Sequence, residues 1–306
     1  ITRKAGAALA AGCTFVVKPS ELTPLSALAL AQLAKDAGIP DGVFNVVVGT
    51  NAKSIGEVFT QSDKVAKFTF TGSTAVGKTL LAQCASTVKR VSMELGGNAP
   101  FIVFDDADID AAVEGAVASK FRNAGQTCVC ANRIFVHTSI HEEFVGKLKQ
   151  EVSSLTLGNG MDSNVQLGPM ISKEAVEKTH QRVLEAVNAG ATIVCGGQRL
   201  DLGECYYPAT ILTQVNHSMA IAQSELFSPV ATIINFESED ELVAMANDTK
   251  YGLAAYFYSN DLRRIWRLSE HLDYGMIGIN DGMVSNVAAP FGGMKQSGNG
   301  REGSKY

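Results

Sequence analysis

Val65-Ala-Lys-Phe-Thr-Phe-Thr71 leads through Gly72-Ser-Thr-Ala-Val-Gly77-Lys-Thr-Leu-Leu-Ala-Gln-Cys84-Ala85 into Val88-Lys-Arg-Val-Ser-Met93. The first run predicts a strand over 65–70, the second a helix over 73–85, the third a strand over 88–93. Strand, helix and strand in this order make a βαβ unit, which implies a parallel sheet with right-handed crossovers. Ligands of such sheets bind at the carboxyl ends of the strands. Thr71-Gly72-Ser73 and Glu94 occupy two such ends.

The alternation extends both ways. Upstream, an Ala-rich helix is expected over 2–11 and a short strand over Cys13–Val17, stopping at Lys18-Pro19. Pro24 opens a helix through Ala37, ended by Gly38-Ile-Pro40, and a strand at 43–48 and a helix at 51–61 come next. Downstream the helices lengthen, to 108–122, 139–154, 172–189, 238–247 and 260–270. Strands fall near 100–104, 133–137, 191–195, 230–235, 254–258 and 276–280. Gly96-Gly97-Asn98 is the expected junction of two α/β blocks, giving segments 1–95, 96–283 and a return segment 284–306. From 281 on, Gly, Ser, Asn and Lys dominate and the tail reads as loop.

Composition narrows the function classes. The chain has 306 residues, 46% apolar and 19% charged, an ordinary globular balance. A net charge of −5, with no Lys/Arg stripe, argues against a nucleic-acid partner. No apolar run is long enough to span a bilayer, and no signal peptide is visible. Six cysteines in so long a chain point to a reducing compartment rather than a disulfide framework. The chain is expected to be a piece of a longer protein, since residue 1 is not Met and both ends fall in patterned sequence.

Two motifs invite nucleotide readings. Gly72-Ser-Thr-Ala-Val-Gly77-Lys78-Thr79 fits the P-loop pattern, follows a strand and opens a helix. Its magnesium partner is missing, with Phe101-Ile-Val-Phe-Asp105 a weak candidate. What survives is phosphate contact at a helix N-terminus. Gly298-Asn-Gly300-Arg-Glu-Gly303 matches G-x-G-x-x-G, but no strand precedes it and no useful helix comes after it.

Phe121-Arg-Asn-Ala-Gly-Gln-Thr-Cys128-Val-Cys130-Ala-Asn132 lies between a helical run and a strand-like run. Gly125 permits a tight turn there. A cysteine just past such a turn sits among free backbone N–H groups, a setting for a thiolate and an adjacent oxyanion. Read alone, it is better explained as a small core residue.

Lys18-Pro-Ser-Glu21, Phe70-Thr-Gly-Ser73, Glu94-Leu-Gly-Gly97, Asn123-Ala-Gly-Gln-Thr-Cys128, Glu225-Leu-Phe-Ser-Pro229 and Pro290-Phe-Gly-Gly293 succeed one another in order. In that order the chain resembles the NAD(P)-dependent aldehyde dehydrogenase superfamily. The 121–132 stretch and Gln296–Tyr306 look like its succinate-semialdehyde dehydrogenase branch. The resemblance implies a Rossmann-like parallel-sheet cofactor domain (1–95), a second α/β catalytic domain (96–283), and a homodimer or homotetramer of the full-length protein. It also implies a cytoplasmic enzyme, or a mitochondrial-matrix one in a eukaryote.

The resemblance assigns roles residue by residue. Cys128 is the nucleophile and Glu94, 34 residues earlier, the base that activates water. Lys18, Ser20 and Glu21 match the adenosine-ribose site, and Glu21 favours NAD, with NADP an alternative because Ser20 is small. Gly72, Ser73 and Val76 match the pyrophosphate site; Leu95, Glu225 and Phe227 match contacts to the nicotinamide half. Arg122 and Ser285 match the groups that hold the substrate carboxylate, against a structural ion pair as the plain reading of Arg122. Cys128 and Cys130 are a candidate reversible disulfide, against a merely packed Cys130. No metal is expected. The family's Asn oxyanion donor would lie before Ile1, so the 306 residues alone are expected to be nearly inactive. Succinate semialdehyde is the expected substrate, with glutarate semialdehyde or another small aldehyde as rival. A P-loop nucleotide-binding protein and a catalytically silent fragment are the readings from other classes.

Overall fold

A computed structural model describes residues 1–306. The chain forms two compact units. One comprises Ile1–Glu94, Val287–Phe291 and Asn299–Tyr306; the other comprises Leu95–Asn286 and Gly292–Gly298.

The first unit runs α1 (Thr2–Ala10), β1 (Phe15–Val17), α2 (Leu25–Asp36), β2 (Phe44–Val46), α3 (Ala52–Gln61), β3 (Lys67–Thr71), α4 (Thr74–Cys84) and β4 (Arg90–Glu94). β1 pairs with β2 and β3 with β4, both in parallel. The expected strand–helix alternation is therefore present, organised as two parallel pairs. The predicted strand at 88–93 begins two residues late. Ala85–Thr87 forms a 3-10 turn and Val88 takes a left-handed φ of 51°, which delays entry into the sheet.

The second unit continues with β5 (Ala99–Val103), α5 (Ile109–Phe121), β6 (Ala131–His137), α6 (His141–Ser154), α7 (Lys173–Asn188), β7 (Thr192–Cys195), β8 (Thr210–Thr213), α8 (Ala220–Gln223), β9 (Val230–Phe236), α9 (Glu239–Asn247), β10 (Ala254–Tyr258), α10 (Leu262–His271) and β11 (Met276–Ile279). These strands make one seven-stranded sheet in the order β11-β10-β5-β6-β9-β8-β7. β5, β8 and β10 are buried along their whole length, and β6 along all but its last residue. That is the burial expected of central strands covered on both faces, and it explains the apolar runs of β5 and β10.

Three features depart from the sequence reading. β8 is unexpected: only Ile211 and Leu212 are apolar between two threonines, too short a run to register. β7 pairs with β8 antiparallel, so the sheet is not parallel throughout. The tail expected as loop holds a 3-10 turn at Lys295–Ser297 and the two-residue strand β12 (Gly298–Asn299).

Candidate active site

The reactive stretch is built by the way α5 ends. The helix stops at Phe121, so Arg122 is not on its last turn as expected. Arg122 is the residue that leaves the helix, with φ −52° and ψ 135°. Asn123, Ala124 and Gly125 then take left-handed φ values of 52°, 54° and 73° in succession. Such a run is unfavourable for residues with a Cβ, which costs roughly 1–2 kcal/mol each. At Gly125 a Cβ would lie 2.1 Å from the Ser228 carbonyl oxygen, so no side chain fits. Gln126 ties the end of this bend to its surroundings. Its side-chain amide donates to the carbonyls of Asn123 and Pro169, at 3.0 and 3.3 Å, and accepts from the Ile171 N–H at 2.8 Å.

Cys128 comes next, in a tight turn. The Cys130 N–H donates to the Thr127 carbonyl at 3.2 Å, which closes a four-residue turn with Cys128 and Val129 at its centre. Cys128 is partly exposed and Cys130 is buried, its sulfur 2.8 Å from the Thr127 hydroxyl. All six cysteines are free thiols. Behind the turn runs the 96–97 segment. A Cβ at Gly97 would sit 2.2 Å from the Cys128 carbonyl oxygen, so glycine is required for the approach. The Gly97 N–H donates to the Glu225 carboxylate at 2.9 Å. Burial pushes the Glu225 carboxyl up, while the Gly97 N–H and the Lys120 ammonium pull it back. Leu95 is buried and its N–H donates to the Ser297 carbonyl at 2.9 Å.

Arg122 makes no ion pair, and its buried Nε has no hydrogen-bond partner. The plain reading, a structural pair with Asp or Glu, does not describe it. Ser285 lies in the exposed loop after β11. Phe227 is 44% exposed with a left-handed φ of 52°. It borders a cavity of about 200 Å³ whose lining includes Gln126, Met170, Ile171, Glu225 and Leu226.

In the first unit the predicted residues fall where the strands end. Lys18 follows β1, and its ammonium pairs with the Glu21 carboxylate at 2.6 Å. That hydrogen bond holds Glu21 below the usual carboxylate range. The Ser20 hydroxyl accepts from the Leu22 N–H at 3.2 Å. Ser73 caps α4, its hydroxyl 3.4 Å from the Val76 N–H, and Val76 is exposed. Gly77-Lys78-Thr79 lies inside α4 rather than in a loop, so the P-loop pattern is not folded as one. A helix N-terminus, the kind of position that suits a phosphate, does remain after β3.

Glu94 ends β4. It is 3% exposed, and both carboxylate oxygens are buried without a hydrogen-bond partner. Burial is the main cause that lifts its pKa from 4.5 to about 7, with Glu302 adding to the rise and Lys4, Arg301 and Arg3 opposing it. A carboxylate poised there accepts a proton near neutral pH.

Sequence reasoning missed a polar network in the second unit. The Asn98 side chain donates to the Ala222 carbonyl at 3.0 Å and accepts from the Asn132 amide at 2.6 Å. Arg133, fully buried, donates to the carbonyls of Asn98, Met245 and Ala246 and to the Tyr274 hydroxyl. Lys120, also buried, has its pKa lowered to about 8 by burial, with Cys130 and Glu225 opposing. The signal available was a charged residue inside an apolar run, as in Ala131-Asn-Arg-Ile-Phe-Val136.

The chain is similar over its whole length to several known proteins. A 3-sulfolactaldehyde dehydrogenase of Pseudomonas putida is 58% identical over the whole chain, which covers 63% of that relative. A succinate-semialdehyde dehydrogenase of Escherichia coli (strain K12), whose name specifies NADP(+), is 55% identical, again over the whole chain and 63% of its own length. A crystal structure of an NADP-dependent enzyme from E. coli superposes with a TM-score of 0.98 at 54% identity, covering 100% of this chain and 63% of that one. The chain thus spans about 63% of the length of the curated relatives it matches. No helix is long and apolar enough to cross a membrane. The sequence pattern of the aldehyde dehydrogenase family matches all of residues 1–306, and the chain belongs to that family.

Proposed function

We propose that the protein oxidises a short aldehyde bearing an anionic tail to the corresponding acid with NAD(P)+, succinate semialdehyde being the first candidate. The observation that carries the reading is Arg122. It is a guanidinium with no ion pair and a buried, unpartnered Nε, six residues before a cysteine presented on a tight turn. A carboxylate or sulfonate tail pairs both that donor and the guanidinium charge, and an uncharged tail leaves the charge unpaired.

The residues supply the steps in order. The Cys128 thiolate attacks the aldehyde carbon, forming a carbon–sulfur bond and moving the carbonyl pair onto oxygen. The turn's backbone N–H groups favour that oxyanion. When bound, NAD(P)+ supplies the hydride acceptor, and the carbon left on Cys128 is a thioester. Glu94 takes a proton from water, the hydroxide adds to the thioester carbon, and the carbon–sulfur bond breaks to release the acid and the thiolate. A dinucleotide fits the donors present. Lys18 and Glu21 offer an ammonium and a carboxylate to ribose hydroxyls, Ser73 and the α4 N-terminus suit a pyrophosphate, and Glu225 and Phe227 suit the nicotinamide half.

The test is NAD(P)+ reduction by the intact protein with succinate semialdehyde, glutarate semialdehyde, 3-sulfolactaldehyde and uncharged aldehydes of like length. A charged hydrogen bond is worth roughly 1.5–3 kcal/mol, so kcat/KM for an anionic aldehyde should exceed that for its uncharged analogue by about tenfold or more. Equal values would remove the anionic-tail reading.

A further inference from the structure

The turn that carries Cys128 is held from β10 by a residue with no role in the chemistry just described. The Tyr256 hydroxyl donates to the Val129 carbonyl at 2.7 Å, both groups being buried. Val129 stands between Cys128 and Cys130 and is the second central residue of the turn. Two residues on, the Ala131 N–H donates to the Ser119 hydroxyl of α5 at 3.2 Å. That hydroxyl also lies against the Tyr256 oxygen and favours its ionised form, while burial pushes the phenol up overall. The Tyr256 ring packs on Phe101 of β5, with centroids 6.0 Å apart, which leaves the phenol little freedom to move with the loop.

We propose that Tyr256, seconded by Ser119, is a positioning residue for the nucleophile: it clamps the Val129 carbonyl and so fixes the orientation of the Val129–Cys130 peptide group of the turn. Three of the contacts that hold the turn bear on its backbone. Its own Cys130-to-Thr127 hydrogen bond closes it, Gly97 backs the Cys128 carbonyl, and Tyr256 grips Val129 from the sheet. The first two also involve the residues they position. The third reaches the turn from a rigid strand, and rigid support of that kind is what a reactive group needs to stay in productive geometry. The inference rests on Cys128 being the nucleophile of the proposed reaction.

The experiment is Tyr256→Phe in the intact protein, which keeps the ring and removes one hydroxyl. Tyr258→Phe, two residues along β10, is the control. Two readouts are taken, steady-state kinetics and the rate of Cys128 alkylation by iodoacetamide, measured by peptide mass spectrometry. Losing one hydrogen bond of ordinary strength should lower kcat by about three- to tenfold with KM for aldehyde and cofactor unchanged. The alkylation rate should change by at least about threefold. Tyr258→Phe should move neither. Ser119→Ala should act in the same direction, more weakly, and add little to Tyr256→Phe. Unchanged kcat and alkylation in folded Tyr256→Phe would overturn the proposal, as would an equal effect from Tyr258→Phe. If no aldehyde is oxidised even by the parent, the proposed function fails, while the alkylation rates still decide whether Tyr256 positions Cys128.

Discussion

Replacing Glu94 by glutamine removes a charge and keeps a shape, and the consequence for stability can be worked from its surroundings. The carboxyl is 3% exposed, has no hydrogen-bond donor on either oxygen, and titrates at about 7 instead of 4.5. With about 1.36 kcal/mol per tenfold change in acidity, that rise is roughly 3 kcal/mol against the ionised form. Below about pH 4.5 folded and unfolded chains both hold the proton, and Glu94 adds no pH dependence. Between 4.5 and about 7 the unfolded chain sheds its proton while the folded chain keeps it, so stability falls as pH rises. Above 7 the whole penalty is present. Glutamine never ionises, so Glu94→Gln should match the parent near pH 4 and exceed it by up to roughly 3 kcal/mol near pH 8. Urea unfolding midpoints of both proteins across that range measure the difference. The same substitution removes the proposed base, so the variant should produce one equivalent of reduced cofactor per chain and then stop. A stability difference that stays flat from pH 5 to 8 would refute the account of Glu94 as a carboxyl held neutral by burial, whatever the kinetics show.

Arg122→Ala in the intact protein should raise KM for succinate semialdehyde by about tenfold or more and leave KM for an uncharged aldehyde within twofold, measured side by side. Glu21→Ala should raise the ratio of kcat/KM for NADP to that for NAD, because the carboxylate that repels a 2′-phosphate is gone; steady-state assays with both cofactors check it. Arg133→Met should lower stability by about 3–5 kcal/mol, since the Asn98 and Met245 carbonyls lose their donor and the Ala246 carbonyl keeps only the Tyr274 hydroxyl, and this is read from the shift in urea midpoint.

The repeating architecture is legible because it is written in periodic apolar runs: α2, α4, β3 and β5 lie within a residue or two of where those runs place them. What fails is local. β8 is a buried strand whose threonines 210 and 213 mask it, and its antiparallel partner β7 cannot be told from a parallel strand by composition. The end of α5 is expected one residue late, because nothing in Phe121-Arg-Asn-Ala announces that Asn123 and Ala124 turn left-handed. The proposed roles of Cys128, Glu94 and Arg122 come from motif order and the resemblance it carries. The burial that lifts Glu94 and the lack of an ion pair on Arg122 depend on neighbours far away in sequence. Tyr256 gives no signal at all, since an aromatic residue in an apolar strand reads as core, and its ring is core.

Those distant neighbours explain how an apolar sheet can hold a polar turn in one geometry. Dispersion and burial fix the spacing of β5, β6 and β10 but have no preferred direction, so they cannot orient a loop at the strand ends. Hydrogen bonds can. Asn98 and Asn132 join the start of β5 to the start of β6, and both reach the 222–224 carbonyls that lead to Glu225. The Thr232 hydroxyl of β9 adds a bond to the Asn132 carbonyl at 2.7 Å. The segments bearing Gly97, Cys128 and Glu225 are thereby tied to one another by directional contacts rather than by packing alone. A buried network of this kind is costly when any member is lost, because each orphaned carbonyl or amide must stay dry and unpaired. Damage to Asn98, Asn132 or Arg133 should therefore reach the nucleophile and the fold together, whereas damage to Tyr256, one bond on an intact ring, should reach the nucleophile alone.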